Sequence, residues 1–174
     1  MKEFETRILN INKEAIISKL ETIGAEIKQE EVLQKRYIFE NQDLIAKNAW
    51  IRLRLVDGKA ELTYKQRETG GDIEHSTNID NVEATIELLQ SIGLNLSGYQ
   101  ENKRLKYVLK NITFDIDTWP MIDPYIEIEA ESQTEVERGV ALLGYGMDDC
   151  TDLVGDKLYN HFGIDLKQIK ELKF

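Results

Sequence analysis

Residues 125–131 read Tyr-Ile-Glu-Ile-Glu-Ala-Glu, and this short stretch shows the pattern that decides the fold. Successive side chains on a β-strand point to opposite faces, so Glu127, Glu129 and Glu131 share one face and the apolar residues share the other. Strict alternation over this length predicts a strand with one acidic and one apolar face.

The same alternation recurs along the chain. Six further segments alternate in this way and are predicted strands, namely residues 3–9, 34–39, 50–56, 59–66, 105–109 and 113–117. Asp57-Gly58 would join two of them as a two-residue hairpin turn, because both positions tolerate a positive φ. Lys110-Asn111 is a weaker turn candidate of the same kind. The chain is therefore predicted to be rich in antiparallel β-structure.

Three amphipathic helices are predicted, over about residues 12–24, 80–93 and 134–144. Asn12 can cap the first helix, and Asp80 followed by Glu83 resembles a capping box at the second. The five-residue ends of these two helices are near copies, Leu-Glu-Thr-Ile-Gly and Leu-Gln-Ser-Ile-Gly. This similarity hints at a duplicated unit.

The composition is that of a folded protein with one core. The chain has 174 residues, of which 41% are hydrophobic and 31% charged, and it contains two prolines. This length suits one domain with a substantial core and is short for two. We therefore expect a single domain spanning residues 1–174.

Charge and cysteine content restrict the classes of function. A formal net charge of −10 argues against a protein that coats nucleic acid, because such proteins present a basic face to the phosphate backbone. No apolar run approaches the roughly 18 residues of a membrane span, and no export signal is predicted. Cys150 is the single cysteine and cannot form an intramolecular disulfide. The cytoplasm is therefore the expected compartment.

The charged faces of the strands are sorted by sign. Arg52 and Arg54 share a basic face, whereas Asp115 and Asp117 share an acidic one. A solvated sheet face would explain any one such strand, but it gives no reason for the sorting. If the helices cover the apolar face, the charged side chains converge inside a curled sheet. The sequence thus predicts an α+β fold, a closed or nearly closed antiparallel β-barrel with a polar lumen and helices packed outside.

Such a lumen should bind counter-ions, because like charges side by side repel. Carboxylates without accompanying His or Cys favour hard cations, namely Mg²⁺ or Mn²⁺. Arg52 and Arg54 suit bidentate phosphate binding, and Lys65 on the next strand adds a point charge. A ligand that combines a metal ion with phosphate groups would suit both the acidic and the basic side chains of the lumen.

The opening Glu3-Phe4-Glu5-Thr6-Arg7 resembles the ExExK strand that defines the CYTH (triphosphate tunnel) superfamily, with Arg in place of Lys. Further features follow in the order typical of this family. They are a Tyr-containing strand at residues 36–39, the pair Arg52-x-Arg54, Lys65, residues 103–107, Asp117, and Glu127-Ile128-Glu129. The resemblance therefore covers nearly the whole chain and implies a triphosphate tunnel.

The resemblance also implies roles for individual residues. Metal ligands would be Glu3, Glu5, Asp117, Glu127 and Glu129. Triphosphate ligands would be Arg52, Arg54, Lys65 and Arg104, with Lys106 and Lys157 as additions. Family members use the motif Lys, together with a strand Tyr, to activate the attacking water. By this resemblance Tyr37 and Arg7 are the catalytic candidates, and because arginine is a poor base, Arg7 is also expected as a further phosphate clamp. Asp115 and Glu131 share the charged faces without matching a family position, and they are expected either behind the ligands or at the rim.

The family includes class IV adenylyl cyclases, which convert ATP to cyclic AMP and pyrophosphate, as well as thiamine triphosphatases and inorganic triphosphatases. In size the chain is most similar to the small bacterial cyclase-type members, but fold-level similarity does not choose a reaction. We expect a metal-dependent enzyme acting on a nucleoside or other organic triphosphate. A binding module without turnover and a structural protein with a vestigial tunnel are the alternatives. An exposed strand edge would allow a homodimer.

Overall fold

The computed structural model describes residues 4–68 and 73–174. In this part of the chain the strands are β1 (Phe4–Ile8), β2 (Glu26–Glu40), β3 (Ala49–Val56), β4 (Lys59–Gln66), β5 (Ile73–Ile79), β6 (Asn95–Leu109), β7 (Ile112–Thr118), β8 (Tyr125–Ala130) and β9 (Glu171–Leu172). The α-helices are α1 (Lys13–Thr22), α2 (Gln42–Ala46), α3 (Val82–Ser91), α4 (Gln133–Leu143) and α5 (Asp156–His161). The predicted site residue Glu3 lies outside the described residues.

The two predicted hairpin turns are confirmed. Asp57 and Gly58 have φ of 48° and 74° and join β3 to β4. Lys110, with φ of 58°, begins the turn from β6 to β7. These positive values match the two-residue turns that favour the right-handed twist of adjacent strands.

The first and second predicted helices, α1 and α3, are built alike. Asn12 caps α1 and Asn81 caps α3, each through a side-chain oxygen that accepts from a backbone N–H three residues on. The prediction of Asp80 as the second cap is therefore wrong by one residue. Both helices have 10 residues, and a strand of 15 residues follows each. The near-copied sequences thus occupy equivalent places, which agrees with a duplicated unit.

The strands form one sheet in the order β1-β8-β7-β6-β2-β3-β4-β5, with β9 beside β6. The β9–β6 pairing is parallel, and the ladders β1–β8, β7–β8, β6–β7, β2–β3, β3–β4 and β4–β5 are antiparallel. This confirms an α+β protein built on an antiparallel sheet. Within residues 4–68 and 73–174, no hydrogen-bonded ladder joins β1 to β5. The fully closed form of the predicted barrel is therefore not found there, and only the nearly closed form agrees with the strand order.

The chain divides into two compact units. Unit 1 comprises Met1–Val32 and Asn102–Leu166, and unit 2 comprises Leu33–Glu101 and Lys167–Phe174. The boundaries fall within β2 and β6, so each of these long strands contributes residues to both units. Independent folding of the predicted single domain over residues 1–174 stays a prediction.

The apolar core of unit 1 lies between helices and one face of its strands. Its buried residues include Ile16 and Leu20 of α1, Val136 and Val140 of α4, and Phe114, Ile116, Ile126 and Ile128 of β7 and β8. Helix α4 comes close to the sheet at Gly139, where a Cβ would lie 2.8 Å from Cγ2 of Ile128. Because side chains alternate along each strand, the charged residues of β7 and β8 occupy the face opposite this core.

The core of unit 2 follows the same plan. Phe39 and Leu53 are fully buried with Leu89 of α3, and Leu94 completes the cluster with Ala60. The arginines of β3 alternate with Leu53 and therefore lie on the other face of this part of the sheet.

Candidate functional site

The charged face of unit 1 is assembled from four neighbouring strands. In one cross-strand row the sheet register aligns Arg7 of β1, Glu127 of β8, Asp115 of β7 and Lys106 of β6. Side chains at directly opposed positions on one face are near neighbours. The sheet therefore places two acids, Glu127 and Asp115, side by side in the middle of this row, with a basic group at each end.

Three carboxylates of this face form a cluster. Glu5, Glu127 and Glu129 each offer a carboxylate oxygen, and these oxygens lie within 4.8 Å of one another. Glu5 is exposed and Glu127 is buried, so the cluster reaches from the solvent into the sheet. An all-oxygen donor set of this kind suits Mg²⁺ or Mn²⁺. Three of the five predicted metal ligands are thus brought together.

Arg7 lies within this cluster. Its Nη2 donates to Glu5 Oε1 at 2.8 Å and to Glu127 Oε2 at 2.5 Å, and its side chain is 6% exposed. Burial alone would lower the pKa of Arg7, but the Glu127 and Glu5 carboxylates more than offset it and hold the pKa above its ordinary value. Arg7 therefore remains charged and cannot act as a base.

Asp117 is bound to basic and amide groups. Arg104 donates through Nε to Oδ1 at 2.8 Å and through Nη2 to Oδ2 at 2.5 Å, a bidentate pair. Asn102, fully buried, donates its Nδ2 to Asp117 Oδ1 at 2.9 Å. Both oxygens of Asp117 thus have donors, and it lies outside the three-carboxylate cluster.

Asp115 is buried on the charged face of unit 1, which agrees with a place behind the ligands and not with one at the rim. It is 1% exposed, and its Oδ2 accepts from Arg104 at 2.6 Å and pairs with Lys106 at 3.3 Å. Its Oδ1 is buried and has no hydrogen-bond partner among the described residues. Burial raises the pKa of Asp115 above its ordinary value, although Arg104 and Lys106 act in the opposite direction.

Two of the predicted phosphate ligands in unit 2 are also paired with acids. Arg54 donates to Glu61 at 2.7 Å across the β3–β4 ladder, and Lys65 forms an ion pair with Glu74 across the β4–β5 ladder. Arg52 lies two residues before Arg54, on the same face. The structure therefore groups these three predicted phosphate ligands and adds two carboxylates to them.

Two predicted site residues lie elsewhere. Tyr37 is aligned with Leu53 and packs against the apolar cluster of unit 2, with its ring centroid 5.1 Å from that of Tyr99. This is the face opposite Arg52. Lys157 is exposed on α5, and none of its described contacts involves the charged face of unit 1.

Three residues of the charged faces were not predicted. Tyr125 lies two residues before Glu127 on β8 and therefore shares its face. Burial, together with the carboxylates of Asp117 and Glu127, raises the pKa of Tyr125 well above its ordinary value. Its position in the alternation could have placed it on this face. In the same way, Asn102 shares a face with Arg104 on β6, and Glu61 shares a face with Lys65 on β4.

In the described part of the chain, no helix has the length and apolar character needed to cross a membrane. No curated protein gives a significant sequence match. Solved structures do match. The PH1012 protein of Pyrococcus horikoshii OT3 is 23% identical, with a TM-score of 0.75 over 87% of this chain and 96% of its own.

Two further similar structures are more distant in sequence. A proposed adenylate cyclase from Vibrio parahaemolyticus is 13% identical, with a TM-score of 0.80 over 92% of this chain and 98% of its own. HpAC1 of Hippeastrum, a proposed adenylyl cyclase described as having a dominant triphosphatase activity, is 17% identical, with a TM-score of 0.61 over 99% of this chain and 98% of its own.

A family model covers most of the sequence. The CYTH domain model matches residues 1–149, which include the motif strand and the residues of both charged faces. At these sequence identities the solved structures support a shared fold alone, whereas the family model assigns the sequence to a family. This chain belongs to the CYTH domain family.

Proposed function

We propose that the protein is a metal-dependent enzyme that acts on a nucleoside or other organic triphosphate. The observation that carries this proposal is the cluster of Glu5, Glu127 and Glu129, whose oxygens lie within 4.8 Å of one another. Converging carboxylates that lack a bound cation are costly, so their retention favours a metal-binding role.

The carboxylates would hold Mg²⁺ or Mn²⁺. Glu5, Glu127 and Glu129 supply hard oxygen donors, and the unpartnered Oδ1 of buried Asp115 provides a further acceptor on the same face. We keep Glu3 in the proposed set by its place in the motif, and we assign Asp117 to orienting Arg104. When bound, a divalent ion would orient phosphate oxygens and neutralise their charge.

The proposed phosphate ligands are basic residues of both charged faces. In unit 2 they are Arg52, Arg54 and Lys65, for which the family resemblance and the shared strand face are the support. In unit 1 they are Arg104 and Lys106. Guanidinium groups bind phosphate oxygens in pairs, so the arginines would fix the orientation of the substrate and the lysines would add charge.

Two reactions are compatible with the proposed site. Triphosphate hydrolysis needs an activated water, whereas cyclisation needs attack of the ribose 3′-hydroxyl on the α-phosphate. Arg7 remains protonated, and Tyr37 packs in an apolar cluster, so neither supports a role as general base. The similar structures include a proposed adenylate cyclase and a protein with a dominant triphosphatase activity, so both reactions should be tested.

The second candidate function is binding of a triphosphate ligand without turnover. It is favoured by the state of Arg7, a charged arginine bound to two acids at the position where the family motif has Lys. A protein of this kind would keep the metal and phosphate ligands but release no product.

The test is incubation of the purified protein with ATP, thiamine triphosphate and tripolyphosphate, each with Mg²⁺ or Mn²⁺, followed by phosphorus NMR of the products. Cyclic AMP with pyrophosphate would establish a cyclase, and orthophosphate a triphosphatase. Binding without product would favour the second candidate. If the protein bound neither metal nor triphosphate, both candidates would fail. Glu129→Gln serves as the site control, because it should abolish metal-dependent product formation.

A further inference from the structure

Tyr125 lies on the charged face of unit 1, whereas Tyr37 packs in the apolar cluster of unit 2. Tyr125 stands two residues before Glu127 on β8 and is directly opposed to Asp117 of β7. We propose that the Tyr125 hydroxyl donates a hydrogen bond to an oxygen of the bound triphosphate, and that Tyr125, not Tyr37, is the tyrosine of the site. This inference rests on the proposed function, because it takes the ligand to be a triphosphate bound with a divalent ion.

The neighbours of Tyr125 are the charged groups of two adjacent cross-strand rows. In its own row, the ladders of β8, β7 and β6 place Tyr125, Asp117 and Arg104 side by side. Glu127, one of the three clustered carboxylates, lies in the next row. The charges of these three neighbours and that of Arg7 all act on the Tyr125 phenol. The phenol therefore lies among the groups that are proposed to hold the metal and the phosphates.

The hydroxyl of Tyr125 is an unused hydrogen-bond donor within the described part of the chain. Tyr125 is only 5% exposed, and among the described residues its hydroxyl makes no hydrogen bond. By contrast, the similarly buried Tyr159 donates its hydroxyl hydrogen to the Pro120 carbonyl at 2.9 Å. A buried phenol usually finds a partner, so the unused donor of Tyr125 points to an acceptor that arrives with a ligand.

The neighbouring carboxylates already accept hydrogen bonds from charged groups. Both oxygens of Asp117 accept from Arg104, and its Oδ1 also accepts from Asn102. Glu127 accepts from Arg7 at Oε2 and from Arg104 at Oε1. Charged donors form stronger hydrogen bonds to a carboxylate than a neutral phenol does. The phenol hydroxyl is therefore available for an acceptor of the ligand.

The acceptor that suits this position is a phosphate oxygen. A triphosphate bound through a divalent ion on Glu5, Glu127 and Glu129 brings such oxygens to this face. Without the ion, the carboxylates of Glu127 and Asp117 repel a phosphate, and a neutral phenol does not compensate for that repulsion. Tyr125 should therefore contribute to triphosphate affinity only when the metal is bound.

The experiment measures two affinities for the wild type and for Tyr125→Phe. Mn²⁺ binding is followed by the loss of the free-ion EPR signal. Binding of diimidotriphosphate, an analogue of tripolyphosphate that resists hydrolysis, is measured by calorimetry at saturating Mn²⁺. Tyr125→Phe should keep its Mn²⁺ affinity within about two-fold and should bind the analogue about ten-fold or more weakly, the loss expected for a hydrogen bond to a charged acceptor.

Tyr107→Phe is the matched control. Tyr107 is fully buried in the apolar core of unit 1, so this variant removes a hydroxyl away from the charged face. It should leave both affinities unchanged within error. Thermal unfolding checks that both variants are folded, and Tyr125→Phe should fold because phenylalanine keeps the aromatic ring.

Three results would overturn the inference and leave the proposed function intact. The first is an unchanged affinity of Tyr125→Phe for the analogue at saturating Mn²⁺. The second is a loss in Tyr37→Phe of the size expected for Tyr125→Phe, which would return the role to Tyr37. The third is a weaker Mn²⁺ affinity in Tyr125→Phe, because the hydroxyl would then act on the carboxylate cluster and not on the phosphate.

A measurement without metal separates the inference from a general effect of the substitution. In the absence of Mn²⁺, the wild type and Tyr125→Phe should bind the analogue equally weakly, because the carboxylates repel it in both. An equal loss with and without Mn²⁺ would contradict the inference. If the wild type bound no analogue even at saturating Mn²⁺, the proposed function would fail and the inference would fail with it.

Discussion

The pair Arg54–Glu61 makes a proposed phosphate ligand compete with an internal acid. Arg54 Nη2 lies 2.7 Å from Glu61 Oε1, and both side chains are partly exposed. A phosphate must displace Glu61 or share Arg54 with it. We predict that Glu61→Gln strengthens the binding of tripolyphosphate by about two- to five-fold, the range expected for a partly exposed ion pair. Isothermal titration calorimetry measures this change.

The control for this prediction is Glu87→Gln. Glu87 lies exposed on α3, so its substitution makes the same change of net charge away from the charged face of unit 2. It should leave the affinity unchanged within error. An equal gain in both variants would attribute the effect to net charge, and a loss of affinity in Glu61→Gln would indicate that Glu61 orients Arg54 for the ligand.

The alternation of side chains predicted which residues share a face, but it could not predict their partners. It grouped Glu127 with Glu129, and these two residues do lie together. It left the place of Asp115 open between the rim and a position behind the ligands, because the register that brings Asp115 beside Glu127 depends on how β7 pairs with β8. Pairing is a non-local property that the pattern of one strand does not contain.

Helix α4 packs against the sheet through Gly139, and this contact leaves no room for a side chain. A Cβ there would lie 2.8 Å from Cγ2 of Ile128 and 3.1 Å from Cγ2 of Ile112, and both isoleucines are fully buried. We predict that Gly139→Ala lowers the free energy of unfolding by about 1–3 kcal/mol, the usual cost of overpacking a core. Chemical denaturation at equilibrium measures this change.

Gly98→Ala is the matched control. A Cβ at Gly98, within β6, would meet no atom within 4 Å, and its φ lies outside the left-handed region. This variant should be as stable as the wild type or slightly more stable, because alanine restricts the unfolded chain. If Gly139→Ala were as stable as the wild type, α4 would have to shift away from the sheet at no cost. The close contact at Gly139 would then contribute nothing to the free energy of unfolding.

Helices and strands whose apolar residues recur with a clear period were predicted, whereas strands without this periodicity were missed. The glycine-ended helices α1 and α3 were found to within two residues at their ends, apart from the cap at Asn81. The first half of β2, residues 26–33, was not predicted, because its polar residues do not alternate with apolar ones. β5 was missed for the same reason, since most of its residues are exposed and polar. Burial of one face creates the alternating signal, so strands exposed on both faces lack it.

At the scale of the molecule, the formal net charge of −10 opposes the approach of an anion. We predict that the association rate of free tripolyphosphate rises as the ionic strength increases from about 0.02 M to about 0.2 M, because salt screens the repulsion. Stopped-flow measurement of tryptophan fluorescence would follow the binding. A protein that attracts its ligand electrostatically would show the reverse.

The Mn²⁺-loaded protein provides the comparison. The bound cation reduces the local negative charge, so the salt dependence should become weaker. A rate for the metal-free protein that falls with salt would indicate that the exposed arginines dominate the field, and would contradict the prediction.

The division into two units was not predictable from local patterns. Each unit combines chain segments far apart in sequence, and β2 and β6 pass from one unit to the other. The length of 174 residues predicted a single domain, and length does not show how the contacts within a chain are grouped. Contacts between distant segments determine such units, and a single sequence does not display them.

The pairing of Arg7, Arg104 and Lys106 with acids has a consequence for the order in which ligands arrive. A free triphosphate reaching this face first would find each of these cations already paired with an acid, whereas a divalent ion would find the converging carboxylate oxygens of Glu5, Glu127 and Glu129. The cation should therefore enter before the anion or travel with it. An excess of free triphosphate, by withdrawing the metal into solution, would then slow turnover instead of saturating it.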